Sequence, residues 1–136
     1  ICLGENLDER RAGLAEQIVI DQLHASLPAN LPPGGDGLYG RVMIAYEPVW
    51  AIGTGEVASL DDIAAMHQTI ASELPKSQNG HKPPLPILYG GSVNADNAKA
   101  IFAIGHVGGA LVGGASLDAA AFDSICESAV LQMSKS

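Results

Sequence analysis

Cysteine is scarce in this sequence: Cys2 and Cys126 are the only two, and neither belongs to a paired ligand motif. Disulfide frameworks and Cys-rich zinc modules are therefore excluded. The two thiols are expected to be buried, reduced and structural, as in a cytosolic protein. No metal site is readable, and no cofactor is expected. Long apolar runs are missing too. Each is broken within a handful of residues by a charge, a glycine or a proline, which excludes a transmembrane helix. No charged-then-apolar leader opens the chain. Basic residues are few, 7 Lys and Arg against 15 Asp and Glu, leaving a net charge of −8. Such a surface repels phosphodiester backbones, which argues against nucleic acid and anionic membrane as partners.

What is present is apolar material for one core, 47% of 136 residues. Four short apolar runs recur, Ile1–Gly4, Val42–Tyr46, Ile87–Tyr89 and Ala110–Val112. Continuous rather than alternating apolar strands imply burial on both faces, as in a parallel sheet covered by helices. A helical pattern follows each run. The first is expected from Leu7 to about Leu27, closed by Pro28. The second is capped by Ser59, with Ile63, Met66 and Ile70 on one face and an end before Pro75. Asn94 is expected to cap a helix over 95–104, and the last runs from about Asp118 to Met133. The stretches 28–37 and 76–86 read as connections at the strand N-termini. Strand and helix thus alternate four times, with no linker between domains. That is an α/β fold, half of an eight-stranded (β/α)8 barrel, with an open doubly wound sheet as the alternative. Ile1 already sits inside a strand-like run and is not Met, so an upstream part is expected.

In such folds the reactive groups collect on loops leaving the strand C-termini. Glu47 follows Val42–Tyr46 directly and precedes Pro48, which holds it extended and aims its side chain. It is either a general base or a solvated acid at a strand end. Trp50 and Ile52, followed by Gly53 and Gly55, suit a lid that excludes water, or a tight loop packed on the rim. Gly90-Gly91-Ser92 and Gly113-Gly114 each join a strand to a helix. Their amides suit a phosphate, although paired glycines also serve tight turns. The basic groups lie elsewhere. His24, His67, Lys99 and Lys135 fall on or near helices, and Lys76, His81, Lys82 and His106 precede strands. All read as solvated surface groups.

The stretch Ala45-Tyr46-Glu47-Pro48-Val49-Trp50-Ala51-Ile52-Gly53-Thr54-Gly55 resembles the signature of the triosephosphate isomerase family. Ile1–Glu5, Leu88–Val93 and Leu111–Leu117 resemble its fifth, seventh and eighth strand regions in order. The resemblance implies a TIM barrel of which residues 1–136 are the C-terminal half. It implies interconversion of dihydroxyacetone phosphate and glyceraldehyde 3-phosphate through an enediol in a cytoplasmic homodimer, by the scheme established for that family. Glu47 would be the base, and Gly53, Ser92, Gly113 and Gly114 would hold the triose phosphate. Trp50 matches the lid anchor with Glu5 as its open-state partner, while Tyr89 and Ser92 match the groups that latch the closed lid. Two departures stand out. The family's lysine near the first strand and histidine after the fourth have no counterpart here. Ala71 and His106 replace an Arg and an Asp that pair in many relatives.

Overall fold

Four short parallel strands pair in chain order: β1 (Cys2–Leu3), β2 (Ile44–Tyr46), β3 (Ile87–Tyr89) and β4 (Gly109–Ala110). They are seen in a computed structural model that describes residues 1–27, 42–52, 54, 56–74 and 85–134. The expected connection 28–37 lies outside these residues, as do Gly53, Gly55, Lys76, His81, Lys82 and Lys135. The helices are α1 (Leu7–Arg11), α2 (Ala15–Ser26), α3 (Leu60–Glu73), α4 (Ala98–Phe102) and α5 (Ala119–Met133). None of the helices among the described residues is long and apolar enough to cross a membrane.

Strands that pair in chain order, joined by the right-handed crossovers that parallel strands favour, place their helices on one face of the sheet. The register agrees. Leu3, Tyr46 and Tyr89 form one row and are buried beneath the helices, with Ile44 and Ile87 in the row below. Cys2, Ala45, Leu88 and Gly109 form the row on the opposite face. Among the described residues that face carries no helix, and Met43, of the same parity, is exposed. The architecture is α/β with a four-stranded parallel sheet, as a partial barrel requires.

Several elements differ from expectation. The first helix is two helices, because α1 stops in a Schellman motif at Gly13, whose φ is +73°. Gly13 N–H donates to the Arg10 carbonyl and Leu14 N–H to that of Glu9. The break turns Val19 and Leu23 into the core and leaves Leu14 exposed. β4 ends at Ala110 rather than Val112 because its partner β3 ends at Tyr89. Leu111 N–H still reaches the Tyr89 carbonyl at 2.9 Å, but no strand lies beyond it. Around Asn94, residues 95–97 form a turn held by its side chain, which accepts from the amides of Asp96 and Asn97; helix begins only at Ala98. α3 and α5 match closely, capped by Ser59 and Asp118.

Both cysteines are exposed, not buried. Cys2 lies on the helix-free face, and Cys126 follows the buried Ile125 on the outward side of α5. His67 is a second correction, since it is fully buried rather than a surface group. Its Nδ1 donates to the His106 carbonyl at 3.2 Å, and its ring packs among Tyr46 and Tyr89. His106 itself adopts φ +65° and donates from Nε2 to Gln68. It is therefore tied to α3 without the Arg–Asp pair, while Ala71 packs against the core.

Burial pushes His67 down from 6.5 to about 4, so the folded state keeps it neutral. The unfolded chain takes up that proton near 6.5. Stability is therefore complete above that value and drains as pH falls toward about 4. Between pH 7 and 4.5 the loss attributable to His67 should be on the order of 2 kcal/mol. Urea unfolding of the natural chain and of His67→Gln at both pH values checks this. Equal pH sensitivity of the two would show that His67 is not the group responsible.

Candidate active site

Glu47 continues the parity of Ala45 and so emerges on the helix-free face, at the C-terminal end of β2. Its backbone is locked by the ladder: Glu47 N–H donates to the Leu3 carbonyl at 2.7 Å, and Gly90 N–H to that of Tyr46 at 2.8 Å. Glycines flank it on both neighbouring strands. A Cβ on Gly4 would lie 1.7 Å from the Glu47 carbonyl oxygen, and one on Gly90 would lie 2.4 Å from its Cγ. Only side-chain-free positions on either side let the strands close around this residue. Below it lies the Cys2 thiol. What burial that thiol has, together with the Glu47 charge and a shared hydrogen bond, pushes its pKa up.

The expected lid leaves β2 through Pro48 into a single 3-10 turn over Val49–Ala51. Its root is tied to Glu5, a carboxylate with 0% exposure. Val49 N–H donates to the Glu5 carbonyl at 3.0 Å, and Trp50 Nε1 donates to Oε1 at 2.9 Å. The same oxygen accepts from Arg10 at 3.1 Å and from the Tyr46 hydroxyl at 3.2 Å. Burial, then the Glu5 charge, keep the Tyr46 hydroxyl protonated by raising its pKa. Thr54 donates back to the Trp50 carbonyl at 2.8 Å, while Ile52 and Val57 stand exposed on the loop.

Ser92 is half-buried, and its Oγ donates to the Ala51 carbonyl at 2.9 Å, which ties the third loop to the lid turn. Tyr89 is fully buried, and burial pushes its hydroxyl up. Gly91 is needed beside it, because a Cβ there would sit 2.2 Å from the Tyr89 Oη. Gly113 and Gly114 open a 3-10 turn, Gly114–Leu117, that leads into α5. A Cβ at either would meet nothing within 4 Å, so their backbone borders open space. Gly113 O accepts from both the amide and the hydroxyl of Ser116, which fixes the turn.

Glu47, the lid root and Ser92 are thus gathered at one end of the sheet. Gly53 lies outside the described residues. Of the described basic groups, Arg10 stands at the lid root against Glu5 and Trp50, while His24 pairs with Glu73 at 3.0 Å between α2 and α3, His67 sits in the helical layer, and Lys99 is on α4. Sequence reasoning missed Arg10, Gly4 and Cys2. For Gly4 and Cys2 a signal existed, since aligning the two strands in parallel register sets them beside Glu47.

Similarity to known proteins agrees with this layout. A model of the triosephosphate isomerase family matches residues 1–129. The triosephosphate isomerase of Marinobacter nauticus is 49% identical over 131 residues, covering 94% of this chain and 49% of that protein. That of Acidiphilium cryptum is 48% identical, covering 95% and 51%. The crystal structure of triosephosphate isomerase from Bartonella henselae superposes with a TM-score of 0.77 at 37% identity, covering 94% of this chain and 49% of that one. The chain spans about half the length of the curated relatives it matches.

The two flanking glycines should respond differently to an added methyl group. Gly4→Ala collides with a backbone carbonyl and should cost roughly 1–3 kcal/mol in urea unfolding. Gly90→Ala meets only the flexible arm of Glu47, which can rotate away, so it should cost less while displacing the carboxylate. Equal costs, or the reverse order, would contradict the packing described.

Proposed function

The chain belongs to the triosephosphate isomerase family, and from that premise we propose that the enzyme containing it interconverts dihydroxyacetone phosphate and D-glyceraldehyde 3-phosphate. Residues 1–136 would form the C-terminal half of one (β/α)8 barrel, in a cytoplasmic homodimer that needs no cofactor. The observation that carries the reading is the placement of Glu47. A carboxylate on the helix-free face, whose backbone is pinned by two strand hydrogen bonds and flanked by glycines, is a base anchored at one place. It would take the proton from the carbon beside the substrate carbonyl and return it to the neighbouring carbon through the enediol.

The substrate's phosphate would be gripped by Ser92, Gly113 and Gly114, with Gly53 of the lid closing over it. Backbone amides and a hydroxyl suffice for an anion where cations are few. The lid would keep water from the enediol. Negative charge building on the substrate oxygen needs donors as well, and losing one such donor typically costs about 3 kcal/mol or more. Among the described residues no lysine or imidazole stands beside Glu47. The purified 136-residue chain is therefore expected to bind phosphate weakly and to show no useful turnover.

The test is a chimera in which this chain replaces the matching half of the Marinobacter nauticus enzyme. Turnover of triose phosphate is expected. Glu47→Asp, which withdraws the carboxylate by roughly one C–C bond, should lower kcat about a hundredfold. A chimera whose rate is unmoved by Glu47→Asp and Glu47→Gln would sink the assignment of the base. In a phosphate-soaked crystal the anion should sit between Ser92 and the Gly113–Gly114 turn, and Gly114→Val should weaken it. An anion found only elsewhere would remove these residues from the binding site.

A further inference from the structure

Arg10 sits at the meeting point of three elements that the proposed mechanism leaves unexplained. It belongs to α1, whose start is fixed by a capping box between Asn6 and Glu9. One guanidinium nitrogen donates to Glu5 Oε1 at 3.1 Å, and the other pairs with Asp62 in the first turn of α3. The guanidinium carbon lies 4.9 Å from the centre of the Trp50 ring. Trp50 begins the lid loop and Asp62 stands just past its end, on the helix that loop enters. A single planar cation therefore touches both roots of the lid.

We infer that Arg10 is a positioning residue for the lid roots, a fixed post that holds Trp50 against Glu5 while tying the loop's far root at Asp62 to the same point. The chemistry suits this role. Arginine stacks on an aromatic face and still presents separate nitrogens to two carboxylates, which a lysine ammonium cannot do in the same geometry. Burial works against the Arg10 charge, but the Asp62 charge and the hydrogen bonds that Arg10 donates to Glu5 and Asp62 outweigh it, so the side chain stays cationic. Asp62 is held in turn by the Ser59 hydroxyl at 2.6 Å. The inference uses the isomerase reading only for what the lid covers. The clamp itself exists whatever the substrate.

Trp50 is the only tryptophan, so its fluorescence reports on the clamp directly. In the purified chain, Arg10→Gln should shift Trp50 emission to the red. Acrylamide quenching should rise about twofold or more, the scale of losing a partly exposed cation–π contact, while far-UV circular dichroism stays native. Arg10→Lys, which keeps the charge but not the fork, should fall between the two. A merely structural Arg10 would lower the unfolding midpoint and leave native-state quenching as it was, and that result overturns the inference. Should Arg10→Gln fail to fold, Asp62→Asn decides, because this half-exposed carboxylate steers Arg10 without supporting the core. Increased quenching there upholds the clamp, and unchanged quenching overturns it. No substrate is involved, so this outcome is independent of whether the chimera turns over.

Discussion

A carboxylate removed wholly from water has to be hydrogen-bonded by its surroundings, and that requirement at Glu5 organises the C-terminal end of the sheet, where Glu47 stands. Its Oε1 gathers the Trp50 indole, the Arg10 guanidinium and the Tyr46 hydroxyl. These partners come from the lid, from α1 and from β2, and Arg10 extends the set to α3. The break in the first helix belongs to the same constraint. By ending α1 at Arg11, the left-handed Gly13 lets α1 lie across the strand ends, where Arg10 reaches Glu5, while α2 departs to cover the sheet.

The sheet was largely legible in the sequence. Continuous apolar runs at four places, each trailed by a helical pattern, specify parallel pairing because both faces must be covered. What the runs could not give was their own length. A strand ends where its neighbour ends, so β4 stopped with β3 even though Leu111 and Val112 extend the apolar run. Helix ends were legible where a capping side chain was present, as at Ser59 and Asp118, and less so where a polar side chain competed. Asn94 satisfies two amides in a turn before helix can start, the same chemistry that makes asparagine a good cap. Gly13 went unread because a single glycine in a helical pattern is compatible with both continuation and a stop.

At the site, Glu47 and the glycine turns were readable from chemistry and strand position. The supporting groups were not, because they act across the fold. Arg10 reads in sequence as one of two adjacent surface arginines, and only its contacts separate it from Arg11. His67 was misjudged for a similar reason: a polar residue on a helix is usually exposed, yet 67 follows the buried Met66 and faces two tyrosines. The expectation of buried thiols failed because it assigned both cysteines by residue type. Parity within β1 would have placed Cys2 on the face opposite Leu3.

The proposed base and the proposed lid are held by different kinds of bond, and the difference suits the roles proposed for them. Glu47 is fixed by backbone hydrogen bonds to strands on both sides and by two glycines that admit no other spacing. Moving its backbone would mean opening the sheet, at a cost comparable to unfolding that part of the molecule. The lid root is held by side chains: an indole on a carboxylate, a ring under a guanidinium, and the Ser92 hydroxyl on the Ala51 carbonyl. Such contacts can be exchanged one for another at modest cost, with Pro48 stiffening the point where the rigid strand gives way to the loop. The proposed base and the loop that follows it are thus adjacent in sequence but separated in stiffness. Glu5 and Arg10 grip the root of that loop through Trp50, apart from the ladder that fixes the Glu47 backbone, so the two can be set independently.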